Sequence, residues 1–371
     1  MCEYPTVADV EDWAELGERV REARLAHGLT QASFASQVGL ERTALVRIEA
    51  GQRQVSALEL MRIAELLELP VAHFVSRPPT AVTSRRQSLA EDADATSRQR
   101  FLLDADLETF ARDTGWLVDR ELLIPPPPPS TPSVDDESGA RALAHQVRKT
   151  AGLKSDPIPS MAELAEKLGL YIRVVDRDAD GASLLLDGYG VAVVGGQAPP
   201  GRRRFTAAHE LGHHLLQDAY HSDVGVAASL DEREKLIDAF AAELLLPGDA
   251  VRLRWAESPD ESPRTKLIFL SGVYRVSWSV TVATASHFGL IDTAERQRLR
   301  PATPVRGDFL AVLGREPGTD LEIGETGPGW RKAVLAAWKQ GRLTAARVGE
   351  LLRERLTRED LPPRETEPLA P

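Results

Sequence analysis

Five consecutive prolines, Pro125 to Pro129, constrain this chain more than any other feature. Proline fixes φ and has no backbone N–H, so neither a continuous helix nor a central strand can run through such a stretch. The run favours polyproline II, a semi-rigid spacer rising ~3.1 Å per residue. The chain must therefore build packed units on either side of it. A length of 371 residues allows two or three domains at roughly 100–200 residues each. With 42% apolar and 27% charged residues, those units are globular rather than disordered. A ligand for a proline-binding domain is the alternative reading of the run.

Charge and cysteine content exclude several classes. Against 45 basic residues stand 56 acidic ones, a net charge of −11, so the chain is no basic coat for nucleic acid. Any DNA contact has to come from a local patch. Cys2 is the single cysteine, which excludes an internal disulfide and a cysteine-ligated zinc cluster. No run approaches the ~18 apolar residues of a membrane span. The first residues, with Glu3, Asp9, Glu11 and Asp12, lack the basic-then-apolar order of a signal peptide. A cytoplasmic protein with no membrane partner is expected.

Residues 1–76 read as an all-α domain. A helix from Leu16 ends near Gly28, Thr30 caps a second helix to Val38, and Gly39 supplies the turn. A third helix spans Arg42 to Ala50 and stops at Gly51; Ser56 and Glu59 form a capping box that opens a fourth, Ala57 to Leu69. Two short helices about a glycine turn, braced by flanking helices, make a helix-turn-helix layout, whose second helix enters the major groove. The residues Leu29-Thr30-Gln31, Phe34-Ala35, Val38-Gly39, Ile48-Glu49 and Gly51 resemble the Xre/Cro-repressor family over residues 16–75. That resemblance implies Gln31 near the phosphates, with Arg42, Thr43, Ala44 and Arg47 facing base edges of an operator. Arginine suits guanine, and threonine or alanine suits a thymine methyl. It also implies a homodimer on a palindromic site. Glu41 departs from the family by replacing the usual Ser or Thr cap. With six arginines against four glutamates between Gly17 and Ser56, the alternative is a helical protein-docking module.

Residues 77–137 read as a linker that holds a helical segment over 98–123 and the proline run. A second unit, 138–300, combines helices at Ala140–Ala151 and Ser160–Leu168 with strands at Tyr171–Val175, Ala182–Leu186 and Gly190–Val194. Helices follow over Arg204–Gln217, Asp231–Leu246 and a region from Pro263 to Leu290. Residues 301–371 carry a last helical pair, Trp330–Lys339 and Thr344–Arg355. Packing is the default role for that pair, and a second recognition module the alternative. The fold class is mainly α and multidomain, the second unit being α+β with a small sheet.

The decisive segment is Phe205-Thr206-Ala207-Ala208-His209-Glu210-Leu211-Gly212-His213-His214. On a helix, residues four apart share a face, so the His209 and His213 imidazoles can close on one zinc ion. Glu210 lies beside them as a general base. Catalytic zinc takes three protein ligands and leaves one position open. The third can come from His221, Asp231, Glu232, Glu234, Asp238 or Glu243. His214 points off the ligand face and reads as structural, Glu243 as solvated, and Tyr220 or His221 as stabilisers of a developing oxyanion. Two imidazoles and a carboxylate accept other divalent ions as well as zinc.

Phe205-Thr206 before the histidines, then Glu234, Phe240-Ala241-Ala242, Leu244-Leu245 and Pro247, look like the ImmA/IrrE family of metallopeptidases over residues 138–295. The resemblance implies a zincin-like domain with Glu234 as third ligand. Asp238 stands where the family usually has Asn and would hold a ligand histidine from behind. Zinc would acidify a water and polarise the scissile carbonyl, while Glu210 takes the water proton and returns it to the leaving amine. The family's theme is cleavage of a helix-turn-helix repressor in stress or mobile-element responses. The first expectation is thus a DNA-binding transcriptional regulator with zinc endopeptidase activity on such a protein. The alternative is a non-proteolytic, antitoxin-like regulator whose zinc senses or braces. Self-cleavage between residues 76 and 137 is a variant of the first.

Overall fold

The computed structural model describes residues 12–76, 94–127, 134–217, 227–353 and 357–365, with backbone alone at 227–231. It is mostly helical, with one small mixed sheet. The first helices are α1 (Trp13–Ala26), α2 (Gln31–Val38), α3 (Arg42–Glu49), α4 (Ala57–Leu66) and the short α5 (Val71–Val75). Local chemistry sets their ends. The Thr30 hydroxyl accepts the Ser33 N–H at 3.2 Å, Gly39 turns the chain at φ 72°, and Ser56 and Glu59 cap each other's backbone N–H groups. Val20, Phe34, Leu45, Ile48 and Ile63 are fully buried between these helices. At Gly17 a Cβ would lie 2.2 Å from the Ile48 carbonyl oxygen, so glycine lets α1 and α3 touch. Beneath them the Arg24 guanidinium donates to both carboxylate oxygens of Glu49 at 2.6 and 3.0 Å.

Helix α6 (Ala95–Val118) lies within the stretch read as a linker, yet it is a core element. Phe101, Leu102 and Ala105 join the core of α1–α5. Leu103, Leu107, Phe110 and Leu117 join a second core under the sheet. One helix thus serves two hydrophobic clusters. A buried charged cluster pins it to the first: Glu108 meets Arg112 at 3.0 Å, His73 at 3.4 Å and Arg19 at 4.0 Å.

Beyond the proline run come α7 (Glu137–Thr150), α8 (Met161–Lys167) and three strands, β1 (Leu170–Val175), β2 (Gly181–Leu185) and β3 (Gly190–Gly195). The sheet order is β1-β3-β2. β1 runs parallel to β3, with Tyr171 opposite Val191, and β2 runs antiparallel to it, with Ser183 opposite Ala192. Side chains alternate between faces, as strand geometry requires. Ile172, Val174, Ala192 and Val194 face the large core that carries the candidate site, while Tyr171, Leu184, Val191 and Val193 face α6.

The remaining helices are α9 (Pro200–Leu215), α10 (Ala227–Leu245), α11 (Gly248–Glu257), α12 (Pro263–Tyr274), α13 (Trp278–His287), α14 (Thr293–Leu299), α15 (Arg306–Leu313), α16 (Pro328–Lys339) and α17 (Ala345–Leu352). The helical region expected from Pro263 to Leu290 breaks at Arg275, whose φ of 55° ends α12, and Ser277 caps α13 after a bend of 119°. Among the described residues no single helix is long and apolar enough to cross a membrane. Helices α16 and α17 cover the α6 side of the sheet through Trp330, Val334, Val348 and Leu351. The Glu166 carboxylate accepts the N–H groups of Gly329 at 2.7 Å and Trp330 at 2.5 Å, tying α8 to the first turn of α16.

Candidate metal centre and nucleic-acid interface

Helix α9 presents His209, Glu210 and His213 because its opposite side is locked by apolar burial of Ala207, Ala208, Leu211 and Leu215. Helix α10 crosses it closely. A Cβ on Gly212 would sit 3.0 Å from Ile237 and 3.1 Å from Phe240, so the glycine admits α10 at that depth. That approach carries Glu234 and Asp238, one turn apart on α10, over the two imidazoles.

His209 Nε2 lies 3.1 Å from Glu234 Oε2 and 3.1 Å from His213 Nε2, and His213 Nε2 lies 3.7 Å from Glu234 Oε1. Donor atoms of these three residues all fall within 4.8 Å of one another. Two imidazole nitrogens facing each other this closely can share only one proton, whereas a cation satisfies both lone pairs and the carboxylate together. Two neutral imidazoles and one carboxylate are also a donor set that zinc accepts. The residues therefore fit a divalent metal. Behind them His209 Nδ1 lies 3.0 Å from Asp238 Oδ1, a contact that orients the ring and directs its Nε2 toward Glu234 and His213.

Burial opposes the charged form of His209, but hydrogen bonds to Asp238 and Glu234 and the charge of Glu210 outweigh it. Its pKa rises from 6.5 to about 10 in the metal-free chain. The raised value means that this imidazolium stabilises the metal-free fold fully below pH ~6.5, and that the stabilisation fades as pH rises through about 10. A metal must displace that proton. Apparent zinc affinity is therefore expected to rise with pH between pH 7 and 9. Competition against a chromophoric chelator across that range reads the slope, and a flat profile would contradict a protonated His209.

Glu210 is nearly buried, and its Oε2 accepts a hydrogen bond from the Ser183 hydroxyl of β2 at 2.5 Å. Ser183 escapes sequence reasoning: a serine flanked by Ala182 and Leu184 gives a period-two pattern that equally fits a solvent-facing position. His214 turns away from the ligand face, its Nε2 donating to the Leu168 carbonyl at 3.1 Å, and burial lowers its pKa. Gly190 leaves room for that ring, since a Cβ there would lie 2.6 Å from His214 Nδ1.

One expectation is corrected. Glu243 is not solvated; it is 1% exposed, pairs with Arg141 at 3.2 Å and His145 at 3.0 Å, and accepts the Gly248 N–H at 2.8 Å. It sits two turns past Glu234, where α10 is already inside the core, and it braces α7 and α11. Among the other proposed third ligands, Glu232 is exposed and lies outside the group. The Asp231 side chain, Tyr220 and His221 fall outside the described residues.

At the other end of the chain, Arg42, Thr43 and Arg47 are exposed on α3 and Ala44 is half-buried, while Leu45, Ile48 and Glu49 face inward. Gln31, half-buried, donates from its amide to Glu49 Oε2 at 2.8 Å. Glu41 gives α3 no side-chain cap.

Comparison with known proteins finds a family match over each of these two regions. Residues 20–74 match the helix-turn-helix family, and residues 165–286 match the peptidase M78 family, described as an IrrE N-terminal-like domain. A stretch of 63 residues is 35% identical to an uncharacterized transcriptional regulator in the ATPase CF(0) region of Rhodospirillum rubrum. That match covers 17% of this chain and 58% of the relative's length. The chain thus carries an Xre-type helix-turn-helix domain at its N-terminus and an IrrE N-terminal-like domain of the M78 peptidases beyond it.

Proposed function

We propose that this protein is a DNA-binding regulator whose second domain is a zinc-dependent endopeptidase acting at a specific bond in a protein partner, a helix-turn-helix repressor. The observation that carries this reading is the convergence of His209, His213 and Glu234, with Glu210 next in the chain to His209. A site used only as a brace needs the three donors but has no use for a further carboxylate next to them in the chain. The chemistry that a bound divalent cation supplies is Lewis acidity toward a water and a peptide carbonyl. Glu210, held by Ser183 and next in chain to a donor residue, accepts the water proton and delivers it to the leaving amine. His209 keeps its orientation through Asp238. Arg42, Thr43, Ala44 and Arg47 read bases of an operator, and Gln31 lies toward the phosphates. The protein works in the cytoplasm, as a dimer where its operator is palindromic, in a stress or mobile-element response.

The test is a comparison of new protein N-termini in cells carrying wild-type protein and cells carrying Glu210→Gln, before and after DNA-damaging stress. A new terminus inside a helix-turn-helix protein, present only with Glu210, is the expected result. A terminus within residues 76–137 of this chain would redirect the activity to self-processing. Identical termini in both strains would reject proteolysis in favour of a non-cleaving, metal-sensing regulator.

A further inference from the structure

A groove of about 440 Å³ opens between the start of α2 and the start of α3, lined by Arg24, Gly28, Thr30, Gln31, Arg42 and Arg98. Among the described residues, two of its three guanidiniums lack a carboxylate partner. Arg24 is committed to Glu49 and to the Leu29 carbonyl, whereas Arg42 and Arg98 form no ion pair among the described residues. Arg98 is the unexpected member. It lies outside the helix-turn-helix domain, in the first turn of α6, and it reaches back across the turn between α1 and α2. A Cβ on Gly28 would stand 2.9 Å from Arg98 Nη1, so glycine makes room for the guanidinium. Its Nε is shielded from solvent and has no hydrogen-bond acceptor among the described residues. The nearby N-cap Asp94 is occupied by the Ser97 N–H at 2.7 Å.

We propose that Arg98 is a DNA phosphate-binding residue, so that the helix shared by both cores takes part directly in holding the duplex. This inference rests on the reading of residues 20–74 as a DNA-binding domain. The Arg42 and Arg98 guanidiniums line one groove beside Thr30 and Gln31 at the start of α2. They offer charge-assisted donors that suit a phosphate oxygen. The groove adjoins the exposed face of α3, so a backbone strand crossing it leaves α3 in the major groove. A contact of this kind is independent of sequence. It adds affinity and salt sensitivity but not operator preference.

Because phosphate contacts do not need the operator, a fluorescein-labelled duplex of arbitrary sequence serves as the probe for the full-length protein. Anisotropy titrations across a series of KCl concentrations give the slope of log Kobs against log salt. Arg98→Gln is expected to flatten that slope by about 0.9, the value of one phosphate contact, and to weaken binding roughly three- to tenfold at low salt. Arg98→Lys, which keeps the charge, should recover most of the slope, and all three proteins should share one thermal midpoint. Wild-type slope and affinity in Arg98→Gln would overturn the role of Arg98 while leaving the DNA-binding domain intact. No binding by the wild type at low salt would overturn both.

Discussion

Glu210→Gln is expected to bind zinc as tightly as the wild-type chain and to cleave its substrate about 10²–10⁴-fold more slowly. Glutamine has nearly the same shape, and its amide can still meet the Ser183 hydroxyl, so α9 and β2 keep their packing. What disappears is the basic oxygen that carries a proton from water to the leaving amine. His209, His213 and Glu234 are untouched, so metal content should not change. The measurement pairs metal analysis of the two purified proteins with the rate of appearance of the product terminus. Loss of metal in the variant, or cleavage within threefold of wild type, would remove Glu210 from the role of base. Glu234→Ala should behave differently, losing metal and cleavage together.

Asp113→Ala is expected to cost about 3–5 kcal/mol of unfolding free energy, a drop in thermal midpoint of roughly 6–20 °C. Asp113 on α6 accepts from Arg173 Nη1 at 3.1 Å and from Arg347 Nη2 at 2.6 Å. Arg173 on β1 is 1% exposed, with its guanidinium over the Phe110 and Trp330 rings at 4.3 and 4.7 Å. Burial drives its pKa from 12.5 down to about 10, against the opposing pull of Asp113. Without that carboxylate the buried cation keeps, among the described residues, the Leu351 carbonyl, two ring faces and the more distant charge of Asp106. The variant is thus penalised by an uncompensated charge as well as a lost contact. Arg347→Ala is the control: that side chain is 44% exposed, and its loss should cost no more than about 1 kcal/mol. Calorimetry of the three proteins separates these expectations, and equal midpoints for Asp113→Ala and wild type would show that the buried cation finds compensation elsewhere.

The parts of the molecule governed by local chemistry are legible in the sequence. Thr30, Gly39 and the Ser56–Glu59 pair mark helix ends through contacts within three residues, and the structure has those ends. The His209–His213 pair was equally legible, because two residues four apart share a helix face whatever packs around them. Glu234 was harder. Residue type and spacing left six candidates, and the resemblance pointed to Glu234, which the close crossing of α10 over α9 at Gly212 brings to the two imidazoles. Glu243 was misread for the same reason: a glutamate looks solvated until α7 and α11 bring Arg141, His145 and the Gly248 N–H to it. Helix α6 hid its role because one rough apolar face serves two cores. Its Phe101 and Phe110 look alike in sequence, but one packs beside α1–α5 and the other against Trp330. The sheet order β1-β3-β2 is likewise non-local, since nothing within a strand states which neighbour it takes or in which direction.

If His209, His213 and Glu234 form one metal site, metal content must depend on the two histidines. Full-length protein and the His209→Ala/His213→Ala double variant would be purified without chelators, supplied with zinc, dialysed and assayed by mass spectrometry. About one zinc ion per wild-type chain is expected, and none above background in the variant. Equal metal in the two proteins, or none in the wild type, would contradict it.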